Sequence, residues 1–145
     1  PGLGCAFTVV PNAKLRAKLS QAAAGIVPRV NAMGYVATLA AYRDSEAWHA
    51  GLIAYLRGNR DLVMQRVREI SGLTITPIEA TYLAWLGIEK LSIDKPLAFF
   101  ETAGVGLYDG TVFGADGYVR LNFGCPRSLL IEGLDRIAAG LTKLR

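Results

Sequence analysis

The sequence predicts a mixed α/β fold whose C-terminal part is an α+β unit, a small and mostly antiparallel sheet with helices on one face. Three observations carry this expectation. Short apolar or alternating runs separated by glycine-bearing turns fill residues 72–123. An apolar stripe at i, i+3/i+4 spacing runs from Trp48 to Ile70. A second such stripe, Leu130, Leu134, Ile137, Leu141 and Leu144, closes the chain.

Taken in order, Gly4–Val10 reads as a short buried strand stopped by Pro11. Asn12 has the side chain to cap a helix from Ala13 to about Ala24, with Leu15 and Leu19 on one face. Gly25 to Pro28 breaks it. The small-residue segment Asn31–Tyr42 is predicted helical, its Ala and Gly content allowing close approach of another backbone. Asp44 and Ser45 signal the next helix start, with Glu46 suited to the first turn. That helix carries Trp48, Leu52, Tyr55, Leu56, Leu62, Val63, Val67 and Ile70 on its stripe and ends at Ser71-Gly72. It would span about 36 Å at 1.5 Å per residue, with Gly58-Asn59 marking a bend. Strands follow at Leu73–Pro77, Ala80–Leu86, Val105–Tyr108 and Tyr118–Phe123. A short helix covers Lys95–Thr102, with Pro96 early in it, and a final helix starts at Pro126. Turns fall at Asp109-Gly110 and Gly114–Gly117.

The 145 residues are enough for one ordinary domain, or one domain with a piece of another. Hydrophobic residues make up 52% and charged residues 19%, which excludes disordered, collagenous and disulfide-scaffold classes. The longest charge-free stretches, Pro1–Ala13 and Val30–Tyr42, fall short of the roughly 20 residues a spanning helix needs, so no membrane role is expected. Residues 1–43 carry five basic side chains and no acid. These are scattered, without a basic run or interleaved aromatics, and nucleic acid is not an expected partner. Cys5 and Cys125 have no metal-ligand spacing and read as free buried thiols of a reducing cytosol. So apolar a composition in so small a chain points to a piece of something larger, or to an oligomer that covers apolar surface.

Most apparent motifs have plain structural readings. Gly2-Leu-Gly4 and Gly104-Val-Gly106 do not complete GxGxxG, since position 7 is Phe and position 109 is Asp. His49, the one histidine, has no nucleophile system to serve. Asp44 and Glu46 are explained by helix-start chemistry. No catalytic residue and no metal site is assigned. Arg120 stands apart. It sits between Val119 and Leu121, and strand alternation puts Tyr118, Arg120 and Asn122 on one face with Val119, Leu121 and Phe123 on the other. A guanidinium and an amide aimed into one space suit a carboxylate, which Arg grips with two parallel hydrogen bonds; an ion pair with a nearby Asp or Glu is the structural alternative.

Several blocks resemble one family. Pro1-Gly-Leu-Gly-Cys-Ala-Phe-Thr-Val-Val-Pro-Asn12 is similar to the stretch after the cofactor lysine in pyridoxal-phosphate (PLP) enzymes of the class I/II aminotransferase fold. Asn31-Ala-Met-Gly34 through Ala41-Tyr-Arg43, Trp48 and Tyr55-Leu-Arg-Gly-Asn59 resemble its cystathionine β-lyase branch (MalY/PatB type). So do Pro77-Ile-Glu-Ala-Thr-Tyr-Leu-Ala-Trp-Leu86, Asp109-Gly-Thr-Val-Phe-Gly114 and Tyr118-Val-Arg-Leu-Asn-Phe-Gly-Cys-Pro-Arg127. The resemblance covers essentially the whole chain.

It implies a fold-type I PLP-dependent transferase fold, with residues 1–45 the C-terminal edge of the large PLP-binding domain, 46–71 an interdomain helix and 72–145 the small domain. It implies a carbon–sulfur β-lyase that converts sulfur amino acids such as cystathionine to thiol, pyruvate and ammonia. The alternatives are an aminotransferase on the same scaffold and a stand-alone non-enzymatic oligomerisation module. The family implies a cytoplasmic homodimer. Arg120, with Asn122 beside it, falls where the family binds the substrate carboxylate. The cofactor lysine of the family has no counterpart among Lys14, Lys18, Lys90, Lys95 and Lys143, so the chain by itself is expected to be inactive. Gly87 and Tyr108 depart from the Asp and Asn common in the family, which bears on substrate preference.

Overall fold

The computed structural model describes residues 2–144; Pro1 and Arg145, the outer ends of the first and last expected segments, lie outside the described residues. The chain divides into two compact units, Pro1–Ala50 and Gly51–Arg145.

The first unit holds α1 (Ala13–Ala23) and α2 (Ala32–Asp44). Both are capped as their sequences require: the Asn12 side chain accepts from the Leu15 amide at 3.1 Å, and that of Asn31 from the Gly34 amide at 2.7 Å. The amide group of Asn31 also donates to the Leu3 carbonyl at 3.2 Å. Gly34 is buried there, and a Cβ on it would lie 2.7 Å from that same carbonyl oxygen. The close approach expected of this small-residue helix is thus made at Gly34. The strand expected at Gly4–Val10 does not form. Residues 4–10 take no regular structure and pair with no described strand, and a ladder needs a partner edge. Phe7 and Val9 remain 64% and 79% exposed. Asp44 closes α2 beside Arg43, and the Ser45 hydroxyl donates back to the Ala40 carbonyl. Ser45 thus ends α2 and also stands immediately before the next helix, its carbonyl accepting the His49 amide at 2.9 Å, as the expected helix start requires.

That helix, α3 (Glu46–Glu69), crosses the division between the units and runs unbroken through Gly58-Asn59, where a bend was expected. Asn59 explains the position. It is fully buried, donates to the carbonyls of Phe123 and Cys125 at 3.0 and 2.9 Å, and accepts from Arg127 Nε at 3.1 Å. A residue that looks like a helix weakener is a buried staple between α3 and the chain that enters the last helix.

The second unit is built on a four-stranded antiparallel sheet in the order β1-β2-β4-β3: β1 (Thr74–Ile75), β2 (Leu83–Gly87), β3 (Tyr108–Asp109) and β4 (Tyr118–Asn122). β2 starts later than its apolar run because Thr81 has φ +65°, a costly conformation for a β-branched residue, and its hydroxyl accepts from the Leu83 amide. β3 is shorter than expected because the Val105 amide is spent on the Phe100 carbonyl at the end of α4 (Pro96–Thr102). α5 (Arg127–Thr142) follows Pro126.

One sheet face and three helices share the core. Ala84, Leu86, Val119 and Leu121 point into it from β2 and β4. Val63 and Val67 come from α3, Phe100 from α4, and Leu130, Leu134, Ile137 and Leu141 from α5. Each large side chain so buried is worth about 1.5–3 kcal/mol. Leu144, the last member of the expected α5 stripe, is exposed. Gly87 is enclosed at the end of β2, where a Cβ would collide with the Thr74 hydroxyl.

Candidate functional site

The sheet face opposite the core carries the second set of β4 side chains. Tyr118 and Arg120 are half-buried and Asn122 exposed, while Val119, Leu121 and Phe123 are buried, as the alternation requires. β4 lies between β2 and β3, so Arg120 has a cross-strand neighbour on each side, Trp85 and Tyr108.

A third aromatic comes from the connection between β3 and β4. Asp109 accepts the Thr111 amide at 2.9 Å and starts a single 3₁₀ turn, Thr111–Phe113. Gly110 donates to the Tyr118 carbonyl, and a Cβ on it would lie 2.5 Å from that oxygen and collide with the carbonyl of Ala115. Gly114 ends the turn with φ +72°. The Asp-Gly-x-x-x-Gly spacing thus folds the connection back and sets Phe113 on the face of the sheet.

The result is an aromatic setting for one cation. The Arg120 guanidinium carbon lies 4.7 Å from the Tyr108 ring centre and 4.4 Å from that of Phe113. Trp85 braces Phe113 edge-on, with ring centres 5.5 Å apart. Among the described residues Arg120 has neither an acidic partner nor a side-chain hydrogen bond; the ion pairs join Arg43 to Asp44, Arg60 to Asp61, Arg66 to Glu69 and Asp135, and Arg136 to Glu132. The ion pair weighed as the structural alternative does not form among the described residues. A guanidinium with no donor bound within these residues suits a planar anion.

Asn122 stands two residues along the same face. Its side-chain oxygen accepts from the Gly124 amide at 2.8 Å, which orients its amide group. The bracing roles of Trp85, Tyr108 and Phe113 were not read from the sequence. Pairing Trp85 and Tyr108 with Arg120 needs the strand register, and Phe113 needs the turn conformation.

The remaining candidates separate from this face. His49 is exposed on α3. Cys5 and Cys125 are free but half-buried rather than buried, and burial pushes the Cys125 thiol above its ordinary range. No group of three or more His, Cys, Asp or Glu able to hold a metal occurs among the described residues, and no helix there is long and apolar enough to cross a membrane. Gly2, Gly4 and Gly104 have positive φ, as turn glycines do.

Comparison with known proteins places the chain in a family. The family model "aminotransferase class I and II" matches residues 1–137. Cystathionine β-lyase PatB of Bacillus subtilis is 30% identical over 148 residues, covering 97% of this chain and 38% of PatB. The crystal structure of OvoB superposes with a TM-score of 0.91 at 42% identity, over 97% of this chain and 37% of that one. A PLP-bound C–S lyase from Staphylococcus hominis superposes with a TM-score of 0.78 at 29% identity, over 92% and 37% of the two chains. The chain spans less than two fifths of the length of the relatives it matches.

Proposed function

The chain belongs to the class I and II aminotransferase family, and on that premise we propose that it is the carboxylate-gripping part of a PLP-dependent carbon–sulfur β-lyase. The substrate class is sulfur amino acids such as cystathionine, released as thiol, pyruvate and ammonia. The observation that carries the reading is Arg120, held over two aromatic rings with no acid among the described residues to neutralise it. The names of PatB and of the Staphylococcus hominis lyase support the choice of a β-lyase over an aminotransferase.

PLP supplies an electron sink for a carbanion at the substrate α-carbon. Its covalent anchor is a lysine, and all five lysines of this chain are exposed to solvent. None fits that anchor, so this chain's own work is done on the substrate. Arg120 binds the carboxylate through two parallel N–H donors and fixes the rotation of the amino acid about its α-carbon. Asn122 offers its amide group beside it. The chain alone is inactive in this reading.

In the same reading residues 1–45 are the edge of a large PLP-binding domain, 46–71 the interdomain helix and 72–145 the small domain of a cytoplasmic homodimer. The exposed apolar side chains of the first unit support this: no residue of α1 is buried, and only Gly34 of α2 is.

In the holoenzyme containing these residues, Arg120→Ala should raise KM for cystathionine and lower kcat/KM strongly. Pyruvate should appear without an added 2-oxo acid. Unchanged kinetics would overturn the role of Arg120, and a strict requirement for a 2-oxo acid would overturn the lyase assignment.

A further inference from the structure

We propose that Tyr108 and Phe113 are positioning residues for Arg120: an aromatic clamp that takes the place an acidic partner would fill and leaves the guanidinium donors free for an incoming carboxylate. The inference rests on the reading of Arg120 as the carboxylate ligand and goes beyond it, since it assigns the specificity of the grip to residues outside β4.

Three observations converge. First, the arginines elsewhere in the described structure that have a side-chain hydrogen bond or ion pair are held by oxygen atoms, even Arg127, which also lies over the Tyr55 ring at 5.3 Å. Arg66 is held by Asp135, Arg136 by Glu132 and the Gly104 carbonyl, and Arg127 by Asn59 and the Tyr55 carbonyl. Each such bond occupies a donor. Arg120 is held by ring faces at 4.7 and 4.4 Å, which restrict a guanidinium without consuming an N–H. Second, the clamp is built rather than incidental. Tyr108 is the direct cross-strand partner of Arg120, and Phe113 is aimed by a turn that Asp109, Gly110 and Gly114 each make possible. Third, Phe113 is itself braced by Trp85, the partner of Arg120 on the opposite strand. Both clamp rings are about half exposed or more, so burial in the core does not account for them.

Chemistry follows from this arrangement. An acid beside Arg120 would compete with the substrate carboxylate and would have to be displaced on binding. Aromatic faces do not compete. They hold a side chain that is otherwise rich in rotamers near one orientation, and so lower the ordering cost of binding. The clamp therefore selects for a planar anion approaching the guanidinium edge.

The test uses the holoenzyme containing these residues and the side-chain Nε–Hε resonance of Arg120 in 1H–15N spectra, assigned by its loss in Arg120→Lys. In the wild type the ring currents of Tyr108 and Phe113 should shift Hε away from its free value, and titration with L-alanine should move it saturably. Tyr108→Leu and Phe113→Leu should return Hε toward the free value and weaken L-alanine binding about 2- to 5-fold each, the range of an exposed cation–π contact. Tyr108→Phe keeps the ring and should behave as wild type. Equal affinity in the wild type and both leucine variants would overturn the clamp while leaving Arg120 as the ligand. No response of Arg120 to L-alanine in the wild type would overturn that reading of Arg120, and the clamp's role with it.

Discussion

Replacing Asn59 by Leu keeps the volume and removes every polar contact this side chain makes. The buried Phe123 carbonyl loses the donor at 3.0 Å, the Cys125 carbonyl loses the one at 2.9 Å, and Arg127 Nε loses its acceptor at 3.1 Å. A buried acceptor left without a partner costs about 1–3 kcal/mol, and a hydrogen bond whose groups can turn to water about 0.5–1.5 kcal/mol. Phe123 is fully buried, whereas Cys125 is half-buried and Arg127 exposed. One contact of the first kind and two of the second give about 4 kcal/mol. For a unit the size of Gly51–Arg145 that lowers the melting temperature by about 16–32 °C. Urea and thermal unfolding followed by circular dichroism read both quantities. Asn59→Asp sharpens the test: it keeps an acceptor for Arg127 Nε but loses the amide donors to the two carbonyls, so it too should lower the urea midpoint. A loss under about 0.5 kcal/mol in Asn59→Leu would refute the staple.

Three further outcomes follow from the geometry. Gly110→Ala sets a Cβ against the backbone carbonyls of Ala115 and Tyr118, which cannot swing away; it should cost about 1–3 kcal/mol in urea unfolding and move the Arg120 Nε resonance by displacing Phe113. Gly58→Ala meets only the flexible Arg127 guanidinium, and the helix gains about 0.8–1.0 kcal/mol in propensity, so its urea midpoint should change little. The hydrogen bond from Arg43 holds the Asp44 carboxyl below its ordinary range, so Arg43→Ala should move its carboxyl 13C titration upward. A depressed carboxyl stabilises the fold above its unfolded range and loses that effect as pH falls, but this pair is fully exposed and screened, so the melting temperature should not move.

The periodic part of the fold was legible from the residues alone. The stripes of α3 and α5 place Val63, Val67, Leu130, Leu134, Ile137 and Leu141 in the core because helix period and burial are one geometric fact. The alternation of β4 likewise separates Arg120 from Val119 and Leu121. What depended on partners was harder to read. Cys5–Val10 has strand composition, but a strand exists only where another edge pairs with it. Asn59 reads as a helix weakener until the two carbonyls 64 and 66 residues away are brought to it. The aromatic setting of Arg120 joins residues from three strands and a turn, and no local pattern reports such a meeting. The resemblance to PLP enzymes reached Arg120 by motif, but it did not supply the rings around it.

The position of β4 between two strands ties the accuracy of folding to the site itself. A slip of one residue along β2 and β3 would turn Arg120 and Asn122 inward and expose Val119 and Leu121. A charged group driven into a dry interior is among the most costly errors a sheet can make. Arg120 therefore proofreads the register in which it is presented: misaligned chains are rejected by the same charge that the aligned chain offers to a ligand. A single-residue insertion in β4 should then abolish the fold and the site together.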